Sequence, residues 1–428
     1  MHDGRRQVLR TGAQQRRDRG AADGRRPVGD PHPEPVEQEN ALVTQIARTV
    51  LGLGIVAALA TGCSTVVPGT AVPDPNALEI KLDTGGLSTK TRVPEAPGAQ
   101  RKVLAANMLG ERTVLVSDID PAYVDGGAQT AVVARNFISL ASEDTERLAK
   151  RGFVYGFSDS RRPVKSSNEG LSVYVIRMAD EAAAKGAVDD FRTDGKATEP
   201  LPERPDIAVR KTLPDDTFKF TRFTAYASVG PLLVIASPFG TDENKARGLI
   251  TKTIEAQRNK LAGFTSPGSS DLPGLPLDKD GIVSRTVTPE PIEGGTFENF
   301  FGFLEKTGSR HWDENPVTAA KIFDETGMDL VGIGRNTVYR TRDAAAAKRF
   351  LELAETEWLG KLVAQSPLTI DGLPDAKCRT HKLYESSDSS LYTCYVAVGR
   401  YVSGFTAKQA ALVRQVTSAA YLVLKRAE

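Results

Sequence analysis

The sequence predicts an α+β protein with two similar domains, each an antiparallel-dominated sheet with helices packed on one face in a ferredoxin-like style. Three observations predict this organisation. A strand followed by the helix start Asp-x-Ala-Ala-Ala-Lys occurs twice, at Asp180 and at Asp343. A stretch rich in turn-forming residues, 265–276, separates the two copies. An apolar run ending just before Cys63 indicates an export signal and a tether ahead of both domains.

The first 42 residues have the composition of a segment outside the fold. They contain eight Arg and no Lys, several Pro, and no apolar periodicity, so they could not bury a core. We expect residues 1–42 to be a disordered leader or a mis-annotated start. Translation from Val43 would give a signal peptide of normal length.

Residues 43–62 are predicted to be a lipoprotein signal peptide. The uncharged apolar run 49–61 is shorter than the roughly 20 residues that span a bilayer as a helix, and Arg48 supplies a positive charge before it. Leu59-Ala-Thr-Gly-Cys63 resembles a lipobox, in which the cysteine is acylated on sulfur and becomes the first residue. Cys63 is therefore the predicted lipidation site. An uncleaved anchor helix or an ordinary buried helix is the alternative.

The rest of the chain divides at two stretches rich in Pro and small residues. Residues 63–77 are predicted to be an extended tether, and residues 265–276 to be a linker. These boundaries give an N-terminal α+β domain at 78–264 and a C-terminal α+β domain at 277–428.

Within the first domain the pattern predicts alternating strands and helices. A helix over 134–152 leads to a strand at 153–157, and a β-branched strand at 171–178 leads to a helix that Asp180 caps. Two strands, 219–228 and 232–237, then precede a closing helix at 243–261.

The second domain repeats the plan. The predicted elements are a helix over 319–327, strands at 329–333 and 336–341, a helix begun by Asp343, strands at 377–384 and 391–405, and a closing helix over 408–426. The matching order predicts an internal duplication, and two such units could pack as a pseudo-twofold pair.

Charge excludes a nucleic-acid-binding role. Residues 1–62 carry nine of the 55 basic and seven of the 54 acidic residues, which leaves 46 basic against 47 acidic groups after the predicted cleavage. No basic surface for nucleic acid is expected. Two histidines, His311 and His381, remain, so we expect no metal site and no cofactor.

Cys378 and Cys394 are the two cysteines after Cys63, and an exported protein is expected to pair them. Alternating residues on either side of the polar stretch 385–390 predict a hairpin that would bring them together. The disulfide is predicted to be structural. A redox-active pair is the alternative, although the spacing differs from Cys-x-x-Cys.

An aromatic cluster precedes the second domain's first helix. Phe297, Phe300, Phe301 and Leu304 have helical spacing and predict one buried stripe. Phe303 and Trp312 fall outside that stripe and could line a groove for an acyl chain or a partner, although ordinary core packing is favoured.

Two polar segments are candidate ligand sites. Asp118, Asp120 and Asp125 could hold Ca²⁺, but their spacing does not match an EF-hand loop, and a solvated turn is favoured. Arg161 and Arg162 lie in a polar segment that could receive an anionic group, and an ordinary exposed loop is favoured there.

Catalytic motifs are missing from the sequence. It has no Gly-x-Ser-x-Gly, no Ser-x-x-Lys with its companion motifs, no His-Glu-x-x-His and no phosphate-binding loop. No catalytic residue is therefore predicted, and an unrecognised hydrolase remains the least favoured class.

Several segments carry a family resemblance: Leu82-Asp-Thr-Gly85, Gly152-Phe-Val-Tyr-Gly-Phe-Ser158, Thr337-Val-Tyr-Arg-Thr-Arg-Asp343, and the hairpin from Cys378 to Cys394 with Arg400-Tyr401. Over residues 78–428 the chain resembles an actinobacterial, mycobacterial-type family of two-domain lipoproteins of unknown function. The resemblance implies a lipid-anchored envelope protein and transfers no catalytic residues.

Together these expectations describe a protein held on the extracytoplasmic face of the cell membrane by an N-terminal acyl anchor. Its expected role is a binding or scaffold module for an envelope lipid, glycan or protein. A structural or sensor-type interaction protein without a small ligand is the alternative.

Overall fold

A computed structural model describes residues 81–96, 100–126, 131–132, 140, 142–164, 166, 168–196, 200–215, 219–289 and 301–428. The predicted leader, signal peptide and tether, with Cys63, lie outside the described residues, as do Phe297 and Phe300. The described residues fall within one compact unit, Pro75–Glu428. The two sheets can therefore be described together.

The first half contains one sheet and its helices. Its elements are α1 (Gln100–Gly110), α2 (Val116–Ile119), β1 (Tyr123–Asp125), β2 (Ala131–Val132), α3 (Ser142–Lys150), β3 (Phe153–Pro163), β4 (Gly170–Met178), α4 (Glu181–Thr193), β5 (Ala208–Thr212), β6 (Thr221–Val229), β7 (Leu232–Gly240) and α5 (Glu243–Leu261). A short 3₁₀ turn, Leu272–Gly274, lies in the predicted linker.

The second half contains the other sheet. Its elements are β8 (Gly302–Glu305), α6 (Lys306–Arg310), α7 (Pro316–Thr326), β9 (Leu330–Ile333), β10 (Thr337–Arg340), α8 (Ala344–Leu353), β11 (Val363–Pro367), β12 (Lys377–Lys382), β13 (Ser390–Val398), β14 (Tyr401–Ala407) and α9 (Ala410–Arg426). A π-helical turn, Ala354–Trp358, extends α8.

The two sheets share one strand order. The first runs β1-β3-β4-β7-β6-β5, with β2 also on β3, and the second runs β11-β12-β13-β14-β10-β9-β8. When the second sheet is listed in the opposite direction, β9-β10-β14-β13-β12 corresponds to β3-β4-β7-β6-β5 of the first sheet. Within each of these sets, neighbouring strands run antiparallel. The predicted α+β class with two similar antiparallel domains is confirmed.

The helices cover both faces of each sheet, which differs from the single face expected. In the first half, α1 and α5 pack on the side of Val175, Ala225 and Val234, whereas α4 packs on the side of Ile176 and Ile235. Successive strand residues point to opposite faces, so both sets can be apolar. The runs in β4, β6 and β7 are therefore nearly continuous in apolar residues.

The strands differ from the sequence-based prediction at several places. β1 and β2 were not predicted, and β8 occupies Gly302–Glu305, where the spacing of Phe301 and Leu304 predicts a helix. β5 and β11 were not predicted, because Arg210 and Lys211 in β5 and the exposed polar residues of β11 hide the period of two. The expected single strand 391–405 is two strands, because Gly399 adopts a positive φ of 52° and the chain turns there. The closing helix α5 has the predicted bounds.

Asp180 and Asp343 begin α4 and α8, as predicted. The Asp180 side chain accepts a hydrogen bond from the backbone N–H of Ala183 at 2.7 Å, and Asp343 accepts one from that of Ala346 at 2.8 Å. Their backbone angles agree within a few degrees, with φ of −154° and −157°. The same capping contact thus occurs at the equivalent position of each half.

We expect Asp180→Ala to lower the free energy of unfolding by about 1 kcal/mol, because the N–H of Ala183 loses its acceptor. Asp180→Asn keeps an acceptor oxygen and should stay within a few tenths of a kcal/mol of the parent. Urea unfolding followed by circular dichroism measures both. Equal losses in the two variants would contradict the capping role.

Candidate functional site

Arg161 joins the two halves through hydrogen bonds. It lies in β3, and its side chain is buried at the contact with the chain that follows α6. Its Nη1 donates to the carbonyl oxygens of Asp313 at 2.8 Å and Glu314 at 2.9 Å, and Nη2 donates to that of His311 at 2.7 Å. The expectation of an exposed loop at Arg161 was wrong, because β3 continues to Pro163 and carries the residue into the interface. Arg162, the next residue, is exposed as expected.

Asp159 lies two residues before Arg161 on the same face of β3. Its Oδ1 accepts from Arg161 Nε at 3.0 Å, and its Oδ2 accepts from the backbone N–H of Val116 at 2.9 Å. The same Oδ2 lies 3.2 Å from Nδ1 of His311, and both side chains are fully buried. The His311 ring also packs edge-on against Phe157, with ring centroids 5.1 Å apart. We call Asp159, Arg161 and His311 the interdomain polar centre.

The surroundings set the charge of this centre. Burial alone would raise the pKa of Asp159, but His311, Arg161 and the N–H of Val116 outweigh it and hold that pKa below its usual value. Asp159 is therefore a carboxylate. At neighbouring Asp313, burial outweighs the N–H of Asn315 and the charge of Arg161, and raises the pKa to about 7.

The chemistry available to the centre is that of a buried ion pair. Within the described part of the chain, neither ring nitrogen of His311 has a hydrogen bond of good geometry, and Nδ1 makes only the 3.2 Å approach to Asp159. His381 lies elsewhere, on β12, with Nε2 at 2.9 Å from Oγ1 of Thr393 on β13. The two histidines therefore do not converge in one cleft, and the contacts of the centre are those of a structural link between the halves.

A small cavity lies at the same interface. It has a volume of about 160 Å³ and is lined from the first half by Asn107, Met108, Glu111, Arg112 and Phe264, and from the second half by Phe303, Leu304 and Glu305. Ligand cavities often form where domains meet.

Phe303 and Trp312, the predicted groove residues, lie in different places. Phe303 lines the cavity and packs against Ile282 and Val283. Trp312 is partly buried and packs against the core cluster of the second half that contains Phe323 and Phe350. The structure does not bring the two side chains to one groove, and Phe301 is buried in the first half's core.

Cys378 and Cys394 form a disulfide, as predicted. They lie directly opposite each other on β12 and β13, with Cα atoms 4.1 Å apart. Both side chains are buried in a cluster with Ile370, Leu373 and Val413 of α9.

Asp118 in α2, Asp120 after it and Asp125 in β1 have separate partners. Asp118 pairs with Arg310 at 3.3 Å and Asp125 with Arg162 at 3.1 Å, while Asp120 accepts from the N–H of Ala122. In the ranges that the structure describes, no cluster of three or more His, Cys, Asp or Glu is positioned to hold a metal ion. Nor is any helix there long and apolar enough to cross a membrane.

Sequence reasoning missed Asp159, Asn107 and Glu111. One signal was available for the first: Asp159 and Arg161 are two residues apart beside a strand pattern, so both side chains share a face. Asn107 and Glu111, four residues apart in and just after α1, likewise share a helix face. Neither spacing reveals that residues of the second half bury these side chains.

Comparison with known proteins gives family matches and a distant structural one. Residues 94–277 match the family model "Domain of unknown function (DUF7373) N-terminal", and residues 282–427 match "Domain of unknown function (DUF7373) C-terminal". No curated protein matches the chain. The crystal structure of the extracellular domain of PknH from Mycobacterium tuberculosis aligns over 39% of this chain and 100% of that one, at 9% identity and a TM-score of 0.27. A TM-score this low supports no inference about fold or function.

The two family models together span more than three quarters of the 428 residues, in the order of the two sheets. The chain therefore belongs to the DUF7373 family, a two-domain family of unknown function.

Proposed function

We propose that this protein is a lipid-anchored envelope protein on the extracytoplasmic face of the cell membrane, where it binds or scaffolds an envelope lipid, glycan or protein. The lipobox-like segment ending at Cys63 supports the anchor, and residues 63–77 would serve as its tether. The buried disulfide agrees with an oxidising compartment.

The observation that carries the binding role is the interface between the halves. The interdomain polar centre holds the two sheets in one arrangement, and the cavity beside it takes its lining from both. A site built across a fixed interface is preorganised, which lowers the entropy lost on binding.

A structural or sensor-type role without a small ligand is the second candidate. The cavity volume favours it, because about 160 Å³ is below the roughly 300 Å³ at which drug-sized ligand pockets begin. The protein would then act through its outer surface.

We expect Cys63→Ser to remove the protein from the membrane fraction or to leave it unprocessed, because serine cannot form the thioether that joins the diacylglyceryl group to the cysteine sulfur. Detergent phase partitioning and intact mass measure the change in the native organism. The pair Cys378→Ser with Cys394→Ser is the control and should keep its acyl mass. An unchanged mass and partition for Cys63→Ser would refute the anchor.

Native mass spectrometry of the parent protein from its own membrane separates the two candidate roles. A retained lipid, glycan or protein supports the binding role. A bare protein of the acylated mass supports the structural one.

A further inference from the structure

The cavity between the halves has an apolar wall and polar acceptors. Phe264 and Phe303 supply aromatic surface from opposite halves, and Met108 and Leu304 add aliphatic surface. At about 160 Å³ it is close to the roughly 150 Å³ cavity that accepts benzene in another protein. A ligand portion of about six heavy atoms therefore fits.

Asn107 presents an acceptor there. Its side chain is 2% exposed, and Nδ2 donates to the carbonyl oxygens of Phe301 at 2.9 Å and Phe303 at 3.3 Å. Because both of those partners are acceptors, the amide orientation is fixed and the other atom must be Oδ1. Oδ1 is buried and has no hydrogen-bond partner within the described ranges. A buried acceptor of this kind favours a ligand that donates.

Glu111 presents a carboxyl four residues later. Burial raises its pKa to about 7, with a further rise from the charge of Glu305, against lowering by the N–H groups of Gly308 and Glu305 and by Lys260. The carboxyl packs so closely on Gly308 that a Cβ there would collide with it.

The cations near Glu111 are engaged elsewhere. Lys260 of α5 donates to the carbonyl of Thr113 at 2.9 Å, and the Arg112 guanidinium lies 5.5 Å from the centroid of the Phe264 ring. Glu305 on the cavity wall pairs with Lys279. Among the described residues no Lys, Arg or His lies within 4.0 Å of the Glu111 carboxyl oxygens.

We propose that this cavity binds a primary alkylammonium group, with the ammonium donating to Glu111 and to Oδ1 of Asn107 and the alkyl chain against Phe264 and Phe303. An ammonium has three donors, and Asn107 and Glu111, two residues of the cavity lining, each carry a buried acceptor oxygen without a hydrogen-bond partner among the described residues. Aromatic walls also favour a cation. The proposal rests on the binding role proposed above and is independent of anchoring at Cys63.

The test uses the full-length protein in detergent and three four-carbon probes: n-butylammonium, 1-butanol and butyrate. Isothermal titration or ligand-observed NMR measures binding to the parent, to Glu111→Gln and to the control Glu325→Gln. Glu325 is a surface residue of α7 that pairs with Arg349. Glutamine resembles the protonated carboxyl that the raised pKa already favours, so Glu111→Gln is expected to fold.

We expect the parent to bind butylammonium at least tenfold more tightly than butanol, and butyrate more weakly still. Glu111→Gln should weaken butylammonium binding about tenfold, and Glu325→Gln should leave it within twofold. The proposal is overturned if butanol binds as well as butylammonium, or if Glu111→Gln has no effect while its circular dichroism matches the parent.

The pH dependence adds a readout that loss of packing would not reproduce. The pKa of Glu111 is about 7 and that of an alkylammonium is about 10, so only the carboxyl titrates near neutrality. Butylammonium should bind about fivefold more tightly at pH 8 than at pH 6, and Glu111→Gln should abolish this slope. A slope that persists in Glu111→Gln would overturn the assignment of Glu111.

Two further probes separate the sources of the ammonium. N-acetyl-lysine methylamide stands for a protein lysine, and a short-chain phosphatidylethanolamine stands for a lipid headgroup. Glu111-dependent binding of either supports the proposal and identifies the source. If no amine binds while native mass spectrometry still retains a ligand, the cavity assignment fails and the binding role stands.

Discussion

Arg161→Met is expected to lower the free energy of unfolding by about 3 to 5 kcal/mol, the usual cost of breaking a buried ion pair from one side. The substitution leaves Asp159 without its closest cation and leaves three carbonyl oxygens, those of His311, Asp313 and Glu314, without their donor. A buried charge and three buried acceptors then lose their partners together.

Urea unfolding followed by tryptophan fluorescence measures this effect and also tests whether the halves are coupled. Both tryptophans, Trp312 and Trp358, lie in the second half, whereas Arg161 lies in the first. Loss of stability reported by these tryptophans therefore means that the polar centre stabilises the second half as well. Arg162→Met is the matched control, because Arg162 is exposed and pairs with exposed Asp125, and it should change stability by less than about 0.5 kcal/mol. Similar losses in both variants would contradict the role of the centre.

Removing the disulfide is expected to lower the free energy of unfolding by about 3 kcal/mol, because the bond closes a loop with a sequence separation of 16 and restricts the unfolded chain. Cys378→Ala with Cys394→Ala makes the change without adding a buried polar atom. The same tryptophan fluorescence reports it, since β12 and β13 belong to the second half.

The control is the parent protein, in which the disulfide stays intact during unfolding and is reduced only afterwards. Both cysteines are buried, so a reductant should reach them only once that half opens. Two free thiols in the folded protein taken from the envelope, or an unchanged free energy of unfolding in the double variant, would contradict a structural bond.

Local patterns predicted the elements whose information lies in neighbouring residues. The apolar period and caps of α4, α5 and α8 are visible in the sequence, as is the repeat that carries Asp180 and Asp343. The repeat predicts that the two halves share one strand order, but which strands are neighbours comes from the structure.

The contact between the halves could not be predicted in the same way. Asp159 and Arg161 resemble surface residues of a strand until His311, about 150 positions away, covers them. Burial of Asn107 and Glu111 likewise depends on Phe303 and Gly308 of the other half. Only tertiary packing, which the period of a single element does not encode, decides whether such a polar residue is solvated or buried.

The contacts of Arg161 also bear on how the two halves can diverge in evolution. Arg161 donates to the main chain of His311, Asp313 and Glu314, and main-chain oxygens are present whatever side chain occupies the position. Correlated substitutions between position 161 and positions 313 or 314 are therefore not expected among relatives, although the atoms touch. Asp159 and His311 meet through their side chains, so a change at one should be accompanied by a change at the other, and that pair is where co-variation should report the interface.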